Sequence, residues 1–198
     1  MPDQPDATGP WLVVGLGNPG PRYAATPHNV GYLVVDELAS RLGGALRSHK
    51  SRRADVLAGR LELGGPRVVL GRARAYMNES GGPVRTLVDF YKVPPERLVV
   101  VHDEIDLPFG SLRLKRGGGD NGHNGLKSLR SALGTGEFCR VRIGVGRPVG
   151  PVPPATYVLS PWPRQKAQEL PAIVERSADA VAALLRHGLE VTQSQFNS

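Results

Sequence analysis

Five short segments of the chain carry residues suited to hydrolytic chemistry. They are Gly17-Asn18-Pro19-Gly20, His28-Asn29, Tyr76-Met77-Asn78, His102-Asp103-Glu104 and Gly122-His123-Asn124-Gly125. A carboxylate bonded to one imidazole nitrogen fixes the tautomer and leaves the other nitrogen free to take a proton. His28 and Asp103 are the candidates for that couple. Asp103 ends an apolar run, where a carboxylate is out of place unless it has a partner. Asn78 and Asn124 have amides that can donate to a carbonyl oxygen as charge develops on it, or can hold water or a substrate amide. Asn18 sits in a glycine-proline loop that would display its amide. Tyr23 and Tyr76 offer stacking faces for a base. Each has a structural competitor: a turn at Asp103-Glu104, a helix N-cap at Asn124, and partial core burial of the two tyrosines.

Other chemistries fit less well. Residues 15–20 match a dinucleotide-binding G-x-G-x-x-G, but Pro19, Pro21 and Pro27 delay the helix that should offer its N-terminus to a pyrophosphate. No serine lies in a G-x-S-x-G elbow. The single cysteine, Cys139, reads as a buried, inert strand thiol. His28, His102, Asp103 and His123 lack the spacing of a zinc motif. The expectation is therefore water activated by His28, with no covalent nucleophile, metal or cofactor.

The chain has 198 residues, enough for one domain with a core of its own, and a net charge of +7. A basic domain often meets a polyanion such as nucleic acid. Late basic residues include Arg113, Lys115, Arg116, Arg140 and Arg142. Strand alternation puts Arg140 and Arg142 on one face, as in a groove that tracks phosphates. The earlier basic run, residues 47–53, reads as a solvated turn. No signal peptide or membrane-length apolar run is visible, which makes the cytoplasm the expected location.

The elements that must position these groups follow from periodicity. Residues 11–16 read as a buried strand, and 17–27 as a loop. A helix is expected from His28 to Gly43-Gly44. Strands are expected over 56–63 and 68–71 around Gly64-Gly65. A helix then closes at Pro94-Pro95. Residues 98–101 form an apolar strand with His102-Asp103 at its carboxyl end. Residues 112–114 read as strand, 117–122 as a flexible loop, 126–133 as helix and 140–145 as strand. Residues 146–157 read as a Pro-rich loop, and Ser160-Pro161 as the start of a long amphipathic helix that Pro171 begins or kinks. The pattern predicts a single α/β domain over residues 11–190, with a twisted mixed, largely parallel sheet flanked by helices. Flexible tails are expected at 1–10 and 191–198. Sites in such sheets form beyond the carboxyl ends of the strands.

Taken in order, these motifs resemble bacterial peptidyl-tRNA hydrolase over roughly residues 11–190. Residues 15–20 with Tyr23, Thr26, His28-Asn29 and Gly31 look like the family's opening signature. Tyr76-Met77-Asn78 with Ser80-Gly81 follows, then His102-Asp103-Glu104 with Asp106-Leu107-Pro108. The glycine loop 117–119 leading into residues 122–126 completes the match. The resemblance implies a monomeric, metal-independent enzyme with peptidyl-tRNA as its partner, which hydrolyses the ester between a peptide and the 3′-terminal ribose. It implies His28 as proton acceptor and Asp103 as its support. Asn18 would distinguish blocked from free aminoacyl-tRNA. Tyr23, Tyr76, Asn78 and Asn124 match substrate-binding positions, and Lys115 and Arg142 match a phosphate clamp on the acceptor stem.

There are two departures from the family pattern. Pro27 stands where an arginine is usual, and Asp120-Asn121 interrupts the glycine loop. The rival readings are a non-catalytic RNA-binding relative on the same fold and a small-molecule esterase. A pure binder has no need of His28 and Asp103 together, and a small-molecule enzyme has no need of a basic strand face.

Overall fold

A computed structural model describes residues 9–197. Residues 1–8 of the expected N-terminal tail lie outside them. The strands are β1 (Trp11–Gly15), β2 (Arg47–Ser48), β3 (Ala54–Arg60), β4 (Arg67–Ala73), β5 (Leu98–Glu104), β6 (Leu112–Arg116) and β7 (Cys139–Gly144). The helices are α1 (Val30–Arg41), α2 (Gly81–Tyr91), α3 (Asn124–Leu133), α4 (Pro154–Val158), α5 (Arg164–His187) and α6 (Leu189–Phe196). The strands form one sheet in the order β2-β3-β4-β1-β5-β7-β6. β4, β1, β5 and β7 are parallel neighbours, while β3 and β6 run antiparallel on either side of them. The sheet is thus mixed and mostly parallel, as its alternating elements predict.

Period-two alternation splits the core into two layers. Val13, Val99 and Val101 point to the α1 and α5 side, with Val34, Leu38, Val181 and Leu184. Leu12, Val14, Leu98 and Val100 point to the α2 and α3 side, with Val84, Leu87, Leu126 and Leu129. Each such side chain contributes about 1.5–3 kcal/mol by burial. Two helical layers therefore hold β1 and β5 at the centre, and the site grows from the carboxyl ends of these two strands.

Four local expectations need correction. The helix expected from His28 begins as a 3-10 turn, Pro27–Asn29, before α1. Pro27 occupies the first position of that turn, where a missing N–H costs nothing. α5 starts at Arg164 without a serine cap. Ser160 Oγ instead donates back to Thr156 O in the short helix α4, which lies in the stretch expected to be a loop. The prolines at 161 and 163 keep the intervening chain extended, and Trp162 N donates to Ala25 O. Pro171 lies inside α5.

The last correction concerns the tail expected to fray after Val191, which is helix α6 up to Phe196. Thr192 is buried, and Gln193 Nε2 donates to Leu114 O at 2.9 Å. Asn197 Oδ1 accepts from Leu114 N at 2.6 Å, and its Nδ2 donates to Leu114 O at 3.1 Å. The tail thereby covers the open edge of β6, whose backbone groups need partners. A polar sequence gave no sign of this, because the stabilising contacts are hydrogen bonds to a strand some eighty residues earlier.

Candidate active site

His28 reaches Asp103 because two glycines let α1 approach the strand ends. A Cβ at Gly31 would lie 2.4 Å from Val101 O and 2.7 Å from Leu16 N, and one at Gly15 would lie 2.2 Å from Gly31 O. Only glycine allows this approach. His28 Nδ1 lies 2.9 Å from both carboxylate oxygens of Asp103. The aspartate accepts and Nδ1–H donates, which leaves Nε2 as the lone-pair nitrogen. Nε2 has no partner among the described residues, yet it is not among the buried unpaired atoms. The free nitrogen of a carboxylate-oriented imidazole therefore meets solvent, the arrangement a general base needs.

Asp103 accepts a second imidazole. His123 Nε2 lies 2.8 Å from Asp103 Oδ1. The other nitrogen of that ring, Nδ1, accepts from Gly125 N at 3.1 Å and Leu126 N at 3.4 Å. His123 is thus the N-cap of α3, and the cap fixes its tautomer: Nδ1 accepts, so Nε2 carries the hydrogen that Asp103 receives. The two rings lie 4.8 Å apart. In sequence His123 stands only among the candidate metal ligands, and Asn124 is the candidate cap. A histidine cap is rare enough that spacing alone points to the asparagine. Asn124 is instead the first helical residue, and its amide has no partner among the described residues.

Burial alone would push the Asp103 carboxyl up. The charges of His123 and His28 and the hydrogen bonds from both rings outweigh it and hold the group well below the usual carboxylate range. His102, on the opposite face of β5, is fully buried. Its Nδ1 donates to Asp103 O at 2.7 Å. Burial, reinforced by His123, lowers its pKa to about 3, so it stays neutral. Among the described residues, His28, Asp103 and His123 present ligand atoms within 4.8 Å of one another and could hold a metal ion. Their hydrogen-bond distances and the capped Nδ1 of His123 are accounted for by protons alone.

The asparagines occupy two clefts. Asn18 is buried, and its Oδ1 accepts from Met77 N at 2.7 Å. Asn29 clamps its backbone, accepting from Asn18 N and donating to Asn18 O, both at 2.9 Å. The Nδ2 donor of Asn18 is left over, and Asn18 lines a cleft of about 580 Å³ between the 18–24 loop, α1 and the end of β4. Asn78 and Asn124 line a second groove of about 510 Å³ along the α2–α3 seam, with Gly82, Lys127 and Ser128. Met77, adjacent to Asn78, bridges the two through its bond to Asn18. Tyr23 and Tyr76 stand edge to face, 6.3 Å apart, and Tyr76 is 55% exposed. The competing core-burial reading therefore fails for Tyr76.

The basic strand face divides in a way alternation did not reveal. Arg140 is buried, and its guanidinium donates to the carbonyls of Gly118, Gly119 and Gly136. It braces the glycine loop and does not face a phosphate. Arg142 Nη2 donates to the buried Glu104 at 3.0 Å. Lys115 pairs with no carboxylate among the described residues. Burial and the neighbouring Arg142 and Arg140 charges lower its pKa. Asn121, one of the departures in the loop, has φ of 50° and donates to Glu104 at 2.9 Å and Asp106 at 2.7 Å. Asp120 accepts from Gly122 N and Arg130. These two residues tie the loop down.

Comparison with known proteins matches residues 12–198 to the family model described as peptidyl-tRNA hydrolase. The chain belongs to the peptidyl-tRNA hydrolase family. It is 55% identical to the peptidyl-tRNA hydrolase of Frankia alni over 100% of this chain and 99% of that one. It is also 55% identical to that of Mycolicibacterium smegmatis, over 96% and 98%. A crystal structure of peptidyl-tRNA hydrolase from Acinetobacter baumannii superposes with a TM-score of 0.87 at 33% identity, covering 96% of this chain and 95% of that one. Among the described residues, no helix is long and apolar enough to cross a membrane.

Proposed function

We propose that this protein hydrolyses the ester joining a peptide to the 3′-terminal ribose of tRNA. The observation that carries the mechanism is the His28–Asp103–His123 array, with Nε2 of His28 open to solvent. His28 Nε2 takes a proton from water as the water attacks the ester carbonyl. The tetrahedral intermediate then breaks its bond to the ribose oxygen, which leaves with the proton handed back by the His28 imidazolium. Asp103, held ionised by two N–H donors, keeps His28 in the productive tautomer and stabilises the imidazolium that forms. The unpartnered amides of Asn78 and Asn124 hold the water and peptide and meet the developing oxyanion. Asn18 presents Nδ2 to the first peptide carbonyl, which a free aminoacyl group lacks. Tyr23 and Tyr76 flank the terminal base, and Lys115 with Arg142 takes a phosphate of the acceptor stem. Because phosphate contacts position without reading sequence, most elongator tRNAs should be accepted.

The protein acts as a monomer and without metal in this reading. The test is turnover of an N-blocked aminoacyl-tRNA by wild type, His28→Ala and Asp103→Asn, with and without EDTA. Loss of at least about a thousandfold in kcat is expected for both variants, the scale on which a triad's orienting carboxylate acts, with no effect of EDTA. Full activity of His28→Ala sinks the mechanism, and inhibition by EDTA turns the three clustered ligands into a metal site.

A further inference from the structure

We propose that the turn over residues 47–53, together with Phe90, is a second RNA-binding surface that grips phosphates of the helical part of the substrate tRNA. The proposal rests on the peptidyl-tRNA reading above. The turn exposes Arg47, Lys50, Arg52 and Arg53. None of them pairs with a carboxylate among the described residues. Elsewhere some exposed arginines pair, as in Arg41–Asp179 and Arg130–Asp120, while others such as Arg22 and Arg67 also lack a carboxylate partner among the described residues. The turn is distinguished by gathering four such charges within seven residues. Unneutralised like charges this close repel one another unless an anion joins them.

The turn is also built, in contrast to the solvated loop its composition suggests. His49 is buried at its centre and packs edge to face on Phe90 at 4.7 Å. His49 Nδ1 accepts from Ser51 N at 3.2 Å, and His49 N donates to Ala54 O at 2.9 Å. Arg52 is held at φ 59°, a conformation unfavourable for a residue with a Cβ. A hydrogen-bonded, strained scaffold under charges with no carboxylate partner is the pattern of a binding loop.

The charges are laid out along α2. Arg53 donates to Thr86 Oγ1 at 2.9 Å and lies beside Gly82. Lys50 Nζ sits 4.3 Å over the ring of Phe90, which is 44% exposed and offers an aromatic edge to a ribose or base. Gly82 and Phe90 are eight residues apart, about 12 Å along a helix. That is long enough to follow several successive phosphates of one strand. Gly82 also lines the groove of Asn78 and Asn124. The row of charges therefore starts where the asparagine groove ends. It stands on the β2–β3 edge of the sheet, opposite the β6 edge that carries Lys115.

The test compares wild type with an Arg47→Ala/Lys50→Ala/Arg52→Ala variant on two substrates. One is full-length N-acetyl-aminoacyl-tRNA, and the other is the same ester on a CCA trinucleotide. On full-length tRNA the variant should raise KM about tenfold, the sum of three exposed charge contacts, with kcat within twofold. The slope of log(1/KM) against log salt should shrink by about two to three. The trinucleotide should be cleaved as by wild type, which also reports that the variant is folded. Equal KM and slope on full-length tRNA overturn the proposal, as does an equal loss on both substrates. Should wild type cleave neither substrate, the hydrolase reading fails by itself. Anisotropy with labelled deacylated tRNA then still reads the surface, and equal Kd for the two proteins overturns it.

Discussion

His123 does two things that substitution can separate. Its Nδ1 caps α3 through Gly125 N and Leu126 N, and its Nε2 donates to Asp103 at 2.8 Å. Alanine removes both. Losing a helix cap costs about 0.5–2 kcal/mol, and losing a hydrogen bond to a buried charge costs about 1.5–3 kcal/mol. His123→Ala should therefore destabilise by about 2–5 kcal/mol. Asparagine restores a capping oxygen but ends short of the position where imidazole Nε2 meets Asp103. His123→Asn should cost only the second contribution, about 1.5–3 kcal/mol. Urea unfolding of both variants, alone and combined with Asp103→Asn, gives a double-mutant cycle, and its coupling energy should be about 1.5–3 kcal/mol. With Asp103 held from one side only, kcat should fall about tenfold to a hundredfold, the scale of a small misplacement of a catalytic pair. Equal destabilisation by the two substitutions, with coupling below about 0.5 kcal/mol, would refute the double role.

Three further outcomes follow from the geometry. His102 has its pKa lowered from 6.5 to about 3, so the unfolded chain binds more protons in that window. Stability should be full above pH 6.5 and fall on acidification toward pH 3, by on the order of 5 kcal/mol in total. Asp103, also depressed, adds to the loss below the usual carboxylate range. Thermal melts between pH 4 and 8 check the sign, and His102→Leu should flatten the curve. Gly31→Ala must push α1 away from Val101 O and Leu16, at about 1–3 kcal/mol, and should lower kcat more than it raises KM. Arg140→Lys keeps a charge but loses the fork that holds the Gly118, Gly119 and Gly136 carbonyls. Faster amide exchange at residues 117–122 is expected, and unchanged exchange would contradict the brace.

Much of this protein is determined locally. The apolar run of β1 and β5 and the helical spacing of Val30, Val34 and Leu38 carry their own periods, so the α/β class and the two layers can be read from the sequence. The residues proposed for chemistry stand beside glycines and at a strand end, where their types are conspicuous without neighbours. Long-range contact decides the rest. The cap on α3 belongs to His123 because its second nitrogen has Asp103 to meet, a partner twenty residues away that spacing cannot supply. Arg140 and Arg142 share a face, but only packing shows that one is spent on the glycine loop while the other, anchored on Glu104, keeps its charge beside Lys115. The polar tail becomes α6 because Asn197 finds the open edge of β6. The basic turn at 47–53 looks solvated in composition, yet the buried His49 against Phe90 makes it a rigid surface. In each case the sequence sets which groups are present, while the satisfaction of buried donors and charges, which exists only once distant segments meet, sets what they do.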